Sequence, residues 1–153
     1  MKKELVNQCT VRFPALSRNE SLSRSSAAAF ALQCDPTVEE IAAIKTAVSE
    51  AVTNAIVHGY RDIDGMVELS MKLYSDNTLY IQIKDKGHGI PNVKEAMRPT
   101  FTTAPADEER SGLGFTVMES FMDKLRVRSA EGRGTCVTLE KRISGKGGRL
   151  DAR

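Results

Sequence analysis

The chain has 153 residues, enough for one domain that buries about 68–70% of the surface its unfolded form exposes. Its 22 lysines and arginines exceed its 20 aspartates and glutamates by two, a charge too small for binding to a nucleic-acid backbone. Tryptophan is absent and aromatic residues are few, which argues against a base-stacking surface for single strands. We therefore expect a protein that does not bind nucleic acid directly.

The sequence carries no feature of a membrane or secretory protein. No apolar stretch approaches the roughly 20 residues that a membrane-spanning helix requires, and no apolar run follows the lysines at positions 2 and 3. The cysteines are scattered, odd in number and without metal-ligand spacing, which suits a reducing compartment. They are Cys9, Cys34 and Cys136. We therefore expect a cytoplasmic protein.

The apolar pattern predicts one domain over residues 1–143, followed by a flexible, glycine-rich tail over 144–153. Five strands are predicted at 4–13, 66–73, 78–84, 124–129 and 135–142, and three helices at 19–33, 37–59 and 114–122. Successive strands joined by hairpins form antiparallel ladders. The predicted fold class is therefore α+β, a two-layer sandwich with a mixed, mostly antiparallel sheet and helices on one face.

The second predicted helix carries the most informative side chains. Thr37 and Glu40 form a capping-box pattern at its start. Glu50, Asn54 and His58 then follow at spacings of four, so they project from one face of the helix, beside its apolar stripe. A helix that packs one face on the core can present such a flank to a ligand.

A glycine-rich turn follows the third predicted strand. Asp85 leads this turn, and its carboxylate could accept a hydrogen bond from an exocyclic amine such as that of adenine. Gly87 and Gly89 permit the close approach of a planar base. Thr135 starts the last predicted strand, where its hydroxyl could support the carboxylate. Taken alone, this pattern is more often a simple tight turn, and it indicates a base-binding turn only together with the other segments.

A second glycine turn opens the third predicted helix. Ser111, Gly112 and Gly114 offer free backbone N–H groups and the positive end of a helix dipole to phosphate oxygens. Arg110 precedes them and could reach a terminal phosphate. A long stretch without periodicity, residues 97–110, comes before this turn, and loops of that length are often functional lids.

Together these residues predict a Mg-nucleotide site. Mg²⁺ prefers octahedral oxygen ligands and keeps several waters, so a protein often supplies only one side-chain ligand. Here that ligand would be the side-chain oxygen of Asn54, and phosphate oxygens would add others. Glu50, one helical turn earlier, could take a proton from an attacking hydroxyl or water. Neither the Gly-x-x-x-x-Gly-Lys-Ser/Thr loop nor a eukaryotic kinase motif is present.

In the same order, these segments resemble the ATP-binding boxes of the Bergerat-fold superfamily, which includes gyrase, histidine kinases and MutL. The resemblance extends from about Glu4 to Lys141. Within the superfamily, the run from Ser49 to Tyr60 and the lid from Phe101 to Phe115 are similar to the bacterial anti-sigma serine kinases. Overall likeness favours the sporulation branch of that family.

The resemblance implies two linked activities and several residue roles. A homodimer with bound ATP and Mg²⁺ would hold a sigma factor inactive, and the same protein would transfer the γ-phosphoryl group to a serine of an anti-anti-sigma partner. The matched positions are Glu50 as catalytic base, Asn54 as Mg²⁺ ligand, Asp85 with Thr135 at the adenine, Arg110 at the γ-phosphate and Arg24 at a docked partner.

Three alternatives stay open at this point. A general-stress anti-sigma kinase would share the same boxes. A histidine-kinase catalytic domain would also share them, but we find no helix with a phosphoacceptor histidine before the first strand. A nucleotide-gated binding module without catalysis is the third, and Glu50 argues against it because a binder needs no base.

Overall fold

The computed structural model describes residues 3–98 and 114–147, which form a five-stranded sheet with helices on one face. The strands are β1 (Leu5–Pro14), β2 (Met66–Tyr74), β3 (Thr78–Asp85), β4 (Lys124–Ala130) and β5 (Gly134–Arg142). The helices are α1 (Asn19–Ala31), α2 (Val38–Asn54), α3 (Val93–Ala96) and α4 (Gly114–Phe121), with a 3₁₀ turn at Leu32–Cys34 and a π-helical turn at Ala55–Gly59.

The sheet has the order β1-β2-β3-β5-β4. Two hairpins, β2–β3 and β4–β5, supply two of its pairings, and β5 joins them by pairing with β3. The predicted α+β sandwich is confirmed. Each pairing between the described strands is antiparallel, so the sheet is antiparallel rather than mixed.

Side chains alternate between the two faces of the sheet, as a period of two requires. On the face toward the helices, the fully buried side chains include Leu69, Ile81 and Leu139. Their neighbours on the opposite face are polar or half-buried, among them Ser70 and Gln82. The removal of apolar surface from water, which contributes about 25 cal/mol of stabilising free energy per Å², holds the helical layer to the sheet.

Helix α2 begins with the predicted capping box. The Thr37 hydroxyl accepts a hydrogen bond from the Glu40 N–H at 3.1 Å, and the Glu40 carboxylate accepts one from the Thr37 N–H at 2.8 Å. The predicted apolar stripe is buried, with Ile44, Val48 and Val52 inaccessible to solvent. The cap and the stripe therefore fix both the start and the rotation of the helix, which sets the direction of its polar flank.

The end of α2 differs from the prediction of a regular helix to Gly59. From Ala55 the chain widens into a π-helical turn, closed by a hydrogen bond of 3.0 Å from the Tyr60 N–H to the Ala55 carbonyl. Turns of this π-helical type are rare in proteins, and those that occur often lie at functional sites. Here the turn brings Gly59 against the end of β3.

Two further features were not part of the prediction. Helix α3 has only four residues, and the Asn92 side chain caps it by accepting from the Glu95 N–H at 3.0 Å. At the start of the predicted C-terminal tail, the Ser144 N–H and hydroxyl both donate to Glu40, each at 2.9 Å. Gly147 donates its N–H to the Asp35 carbonyl at 3.0 Å. Among the helices of the described ranges, none is long and apolar enough to cross a membrane.

Candidate functional site

A cavity of about 250 Å³ opens between the end of α2, the turn after β3, the start of α4 and the start of β5. Five residues that the sequence predicted for the site line it together: Asn54, Asp85, Gly89, Gly114 and Thr135. Ala51, Ile83 and Val137 supply an apolar part of the wall. An apolar cleft with a few convergent polar groups is the usual form of a small-ligand site.

Asp85 is the last residue of β3 and is only 8% exposed. Its Oδ1 accepts a hydrogen bond from the Gly87 N–H at 3.0 Å, and the Thr135 N–H also donates to the carboxylate. Burial raises the pKa of Asp85 above its ordinary value, and these two N–H groups counteract the shift only in part. A buried acceptor of this kind has capacity for a donor on a ligand.

The glycine turn packs directly on the end of α2. A Cβ on Gly59 would lie 2.8 Å from the Asp85 Oδ1, and a Cβ on Gly87 would collide with the Gly59 carbonyl. That carbonyl accepts a hydrogen bond of 2.7 Å from the His88 N–H. Glycine is therefore required on both sides of the contact because no side chain fits between the helix end and the turn.

Ser129 is a site residue that sequence reasoning missed. Its Oγ accepts from the Ile90 N–H at 2.7 Å and donates to the Gly134 carbonyl at 2.9 Å. It also shares a hydrogen bond of 2.8 Å with the Thr135 hydroxyl. The hydroxyl of Thr135 thus pairs with Ser129, while its backbone supports Asp85. A signal was available, since Ser129 occupies an inward-facing position of a strand with otherwise apolar inward residues.

Glu50 and Asn54 meet at the start of α4. A Cβ added to Gly114 would lie 3.3 Å from the Glu50 Oε2 and 3.2 Å from the Asn54 Nδ2. Both side chains are half-buried. Across residues 3–98 and 114–147, no basic side chain forms an ion pair with Glu50. Its carboxylate is therefore not neutralised by a cation of that part of the chain.

Arg24 lies on α1, and its Nη1 is 3.3 Å from the Glu20 Oε1. Glu20 also accepts a hydrogen bond from the Ser49 hydroxyl, which joins α1 to the residue before Glu50. The Arg24 side chain remains 39% exposed. Arg110, Ser111 and Gly112, which the sequence predicted at the phosphates, lie outside the described residues.

Residues 13–141 match the profile of the histidine kinase-like ATPase domain. An anti-sigma F factor of Priestia megaterium is 51% identical over 139 residues, which cover 90% of this chain and 94% of the relative. An anti-sigma F factor of Thermoanaerobacter sp. (strain X514) is 50% identical over 140 residues, covering 92% and 96%. The fold resembles the RsbU and RsbW domains of a Mycobacterium tuberculosis protein, with a TM-score of 0.65 and 21% identity, over 90% of this chain and 33% of that one.

Proposed function

Since the chain belongs to the histidine kinase-like ATPase domain family and, within it, to the anti-sigma F factors, we propose that it is a cytoplasmic serine kinase that inhibits a sporulation sigma factor. With ATP bound, a homodimer holds the sigma factor. The same protein phosphorylates a serine of an anti-anti-sigma partner and, with ADP, remains bound to that partner. Relatives that are about 50% identical to this chain are named anti-sigma F factors, and this favours the sporulation branch over the general-stress branch.

One observation carries this proposal: a single cavity is lined both by the buried Asp85 and by Asn54. The Asp85 carboxylate suits an exocyclic amine of adenine. Asn54 lies beside Gly114, where α4 begins, and Glu50 lies beside the same glycine without lining the cavity. A nucleotide in the cavity would place its base against Asp85 and its phosphates near Asn54.

The side chain of Asn54 fits a Mg²⁺ ion. It is a neutral amide that lines the cavity, and its oxygen adds no negative charge beside the phosphates. Mg²⁺, when bound, neutralises charge on the phosphate oxygens. Asn54 would hold the ion with one oxygen, and phosphates and waters would complete the coordination.

Glu50 would act as the catalytic base. The serine oxygen of the partner forms a bond to the γ-phosphorus, the bond from that phosphorus to the leaving oxygen of ADP breaks, and the serine proton moves to the Glu50 carboxylate. The position of Glu50 beside Asn54 and Gly114 supports this role. Arg110, Ser111 and Gly112 are proposed to contact the phosphates on the strength of the family resemblance.

Arg24 is proposed to contact the docked partner. It lies on α1, which packs against α2, the helix that carries Glu50. The Glu20 carboxylate holds the guanidinium and at the same time accepts from Ser49. A partner bound at Arg24 would therefore be adjacent to the helix that supplies the base.

Affinity capture with two nucleotides tests the proposal. A tagged chain is incubated with a lysate of sporulating cells in parallel with Mg-ATP and Mg-ADP, and bound proteins are identified by mass spectrometry. We expect a sigma factor with Mg-ATP and a small anti-anti-sigma protein with Mg-ADP, because a γ-phosphate can select between two states of a protein. The Asp85→Asn variant is the control and should lose the nucleotide dependence. Recovery of a response regulator, or of identical partners with both nucleotides, contradicts the proposal.

Strand β1 supports the proposed homodimer. It is an edge strand of the sheet, so among residues 3–98 and 114–147 no strand pairs with one row of its backbone N–H and C=O groups. Leu5 and Val6 are 46% and 61% exposed, and Cys9 is exposed on the same strand. Pairing of β1 with its copy would continue the sheet and cover these apolar side chains.

The thiol of Cys9 reports on this interface. In a Cys136→Ser variant we expect alkylation of Cys9 to slow as protein concentration rises through dimer formation, because the copy would cover β1. Cys34 does not interfere, since burial and, to a smaller extent, the charge of Glu40 raise the pKa of its thiol to about 11.

In the matched control, the reactive thiol is moved from β1 to β4, the edge strand on the opposite side of the sheet. With Cys9→Ser and Lys124→Cys also introduced, the new thiol on β4 should react at a rate independent of concentration. Sedimentation is measured in parallel. A dimer whose Cys9 stays fully reactive would place the interface elsewhere, and a monomer at all concentrations would contradict the homodimer.

A further inference from the structure

Tyr60 directly follows the π-helical turn and is buried, with 6% of its surface exposed. Its hydroxyl has two backbone partners from different segments. It donates to the Met66 carbonyl at 2.6 Å and accepts from the Lys86 N–H at 2.7 Å. Lys86 is the residue after Asp85, so the phenol contacts the glycine turn immediately beside its carboxylate.

The ring of Tyr60 is held in place from two directions. A Cβ on Gly65 would collide with the ring, so the chain passes close to it. On the other side, the Tyr60 N–H closes the π turn by bonding to the Ala55 carbonyl. The hydroxyl therefore has a defined position relative to α2.

Two consecutive residues at the end of α2 anchor the turn after β3. The Tyr60 hydroxyl accepts from the Lys86 N–H, and the Gly59 carbonyl accepts from the His88 N–H. The amide between them, on Gly87, donates to the Asp85 Oδ1. Anchoring both flanking amides leaves this middle amide directed at the carboxylate, and so fixes the direction of Asp85.

We propose that Tyr60 is a positioning residue that fixes the Asp85 carboxylate against the end of α2 and thereby sets the preference of the site for adenine. The inference rests on the proposed function, in which Asp85 accepts a hydrogen bond from the adenine amine. Guanine has a carbonyl where adenine has that amine, so a correctly placed carboxylate attracts one base and repels the other.

Tyr60→Phe removes only the hydroxyl and leaves the Lys86 N–H without its partner. We expect ADP to bind about tenfold more weakly, GDP to bind no more weakly than before, and kcat at saturating ATP to stay unchanged. The matched control is Tyr80→Phe. The Tyr80 hydroxyl accepts from Gln82 at 3.0 Å on the helix-free face of the sheet, and its loss should change neither nucleotide affinity.

Affinities for Mg-ADP and Mg-GDP are measured by calorimetry for the wild type, Tyr60→Phe, Asp85→Asn and the double variant, with urea unfolding of each. The double variant is expected to bind ADP no more weakly than Asp85→Asn alone, because both changes disrupt one contact. An unchanged ratio of ADP to GDP affinity in Tyr60→Phe, or additive losses in the double variant, would overturn the inference.

The outcomes also separate the inference from the proposed function. If Asp85→Asn lowers ADP affinity and Tyr60→Phe does not, Tyr60 has no positioning role while the adenine contact stands. If Asp85→Asn has no effect, the adenine contact itself fails. Amide hydrogen exchange of the unsubstituted protein needs no variant: the Lys86 N–H is expected to exchange slowly, and fast exchange would contradict its bond to Tyr60.

Discussion

Replacing Glu50 with alanine is expected to lower phosphoryl transfer to the partner serine by a factor of about 10²–10⁴, the usual contribution of a general base. ATP affinity and sigma-factor binding should persist, because Asp85 and Asn54 remain in the cavity. The measurement is transfer of radiolabelled γ-phosphate to the purified anti-anti-sigma protein, beside a sigma-factor binding assay with Mg-ATP.

Two further variants make the Glu50 result specific. Glu50→Gln keeps the shape of the side chain and removes the base, so it should lose transfer as Glu50→Ala does. Glu119→Ala removes an exposed carboxylate of α4 and should leave transfer intact. Loss of sigma-factor binding together with transfer in both Glu50 variants would contradict the proposal that inhibition and catalysis are separable.

Replacing Asp85 with asparagine is expected to weaken ATP binding by roughly 1–3 kcal/mol, or about 5- to 150-fold, because a buried charged hydrogen bond to the base is lost. The free protein should not lose stability. Burial raises the pKa of Asp85 in the folded state, so the carboxyl group favours folding below its unfolded pKa of about 4 and loses that contribution as pH rises through the folded value. Near pH 7 the neutral amide of the Asp85→Asn variant avoids the free-energy cost of burying a charged carboxylate.

Calorimetry with ATP and urea unfolding between pH 4 and pH 7 test both halves of the Asp85 prediction. Wild type should lose stability relative to Asp85→Asn as pH rises. Asp76→Asn is the control, since a hydrogen bond from Thr78 lowers the pKa of that exposed carboxyl. It should leave ATP affinity unchanged, and its destabilisation should stay nearly constant from pH 7 to pH 4, because the lowered pKa of Asp76 lies below that range. Unchanged ATP affinity in Asp85→Asn would remove Asp85 from the site.

Much of the fold follows from periodicity. The two-residue alternation of β2 and β3 and the 3.6-residue stripe of α2 are strong local signals, and the structure follows them. Helix α3 has four residues, too few to show a period. The π turn at the end of α2 coincides with a close approach of Gly59 to Asp85, a contact between distant segments that spacing along one segment does not reveal.

The site residues, like the fold, include some that the sequence predicted and some that it did not. Spacings of four predicted that Glu50 and Asn54 share a helix flank, and glycine patterns predicted the turns around them. Tyr60 and Ser129 contact the site through hydrogen bonds to residues 26 and 39 positions away. Such contacts arise from the pairing of distant segments, so the sequence indicates at most that Ser129 faces inward in β4 and does not indicate the partners of either residue.

The position of β5 has a consequence for synthesis of the protein. It is the last of the described strands in chain order, yet it lies between β3 and β4 in the sheet. Asp85 and Thr135 face each other across the β3–β5 register. A growing chain therefore holds β3 without the strand that completes its nucleotide cavity, and non-local pairing of this kind forms late. Nucleotide binding would begin only after the ribosome has added β5.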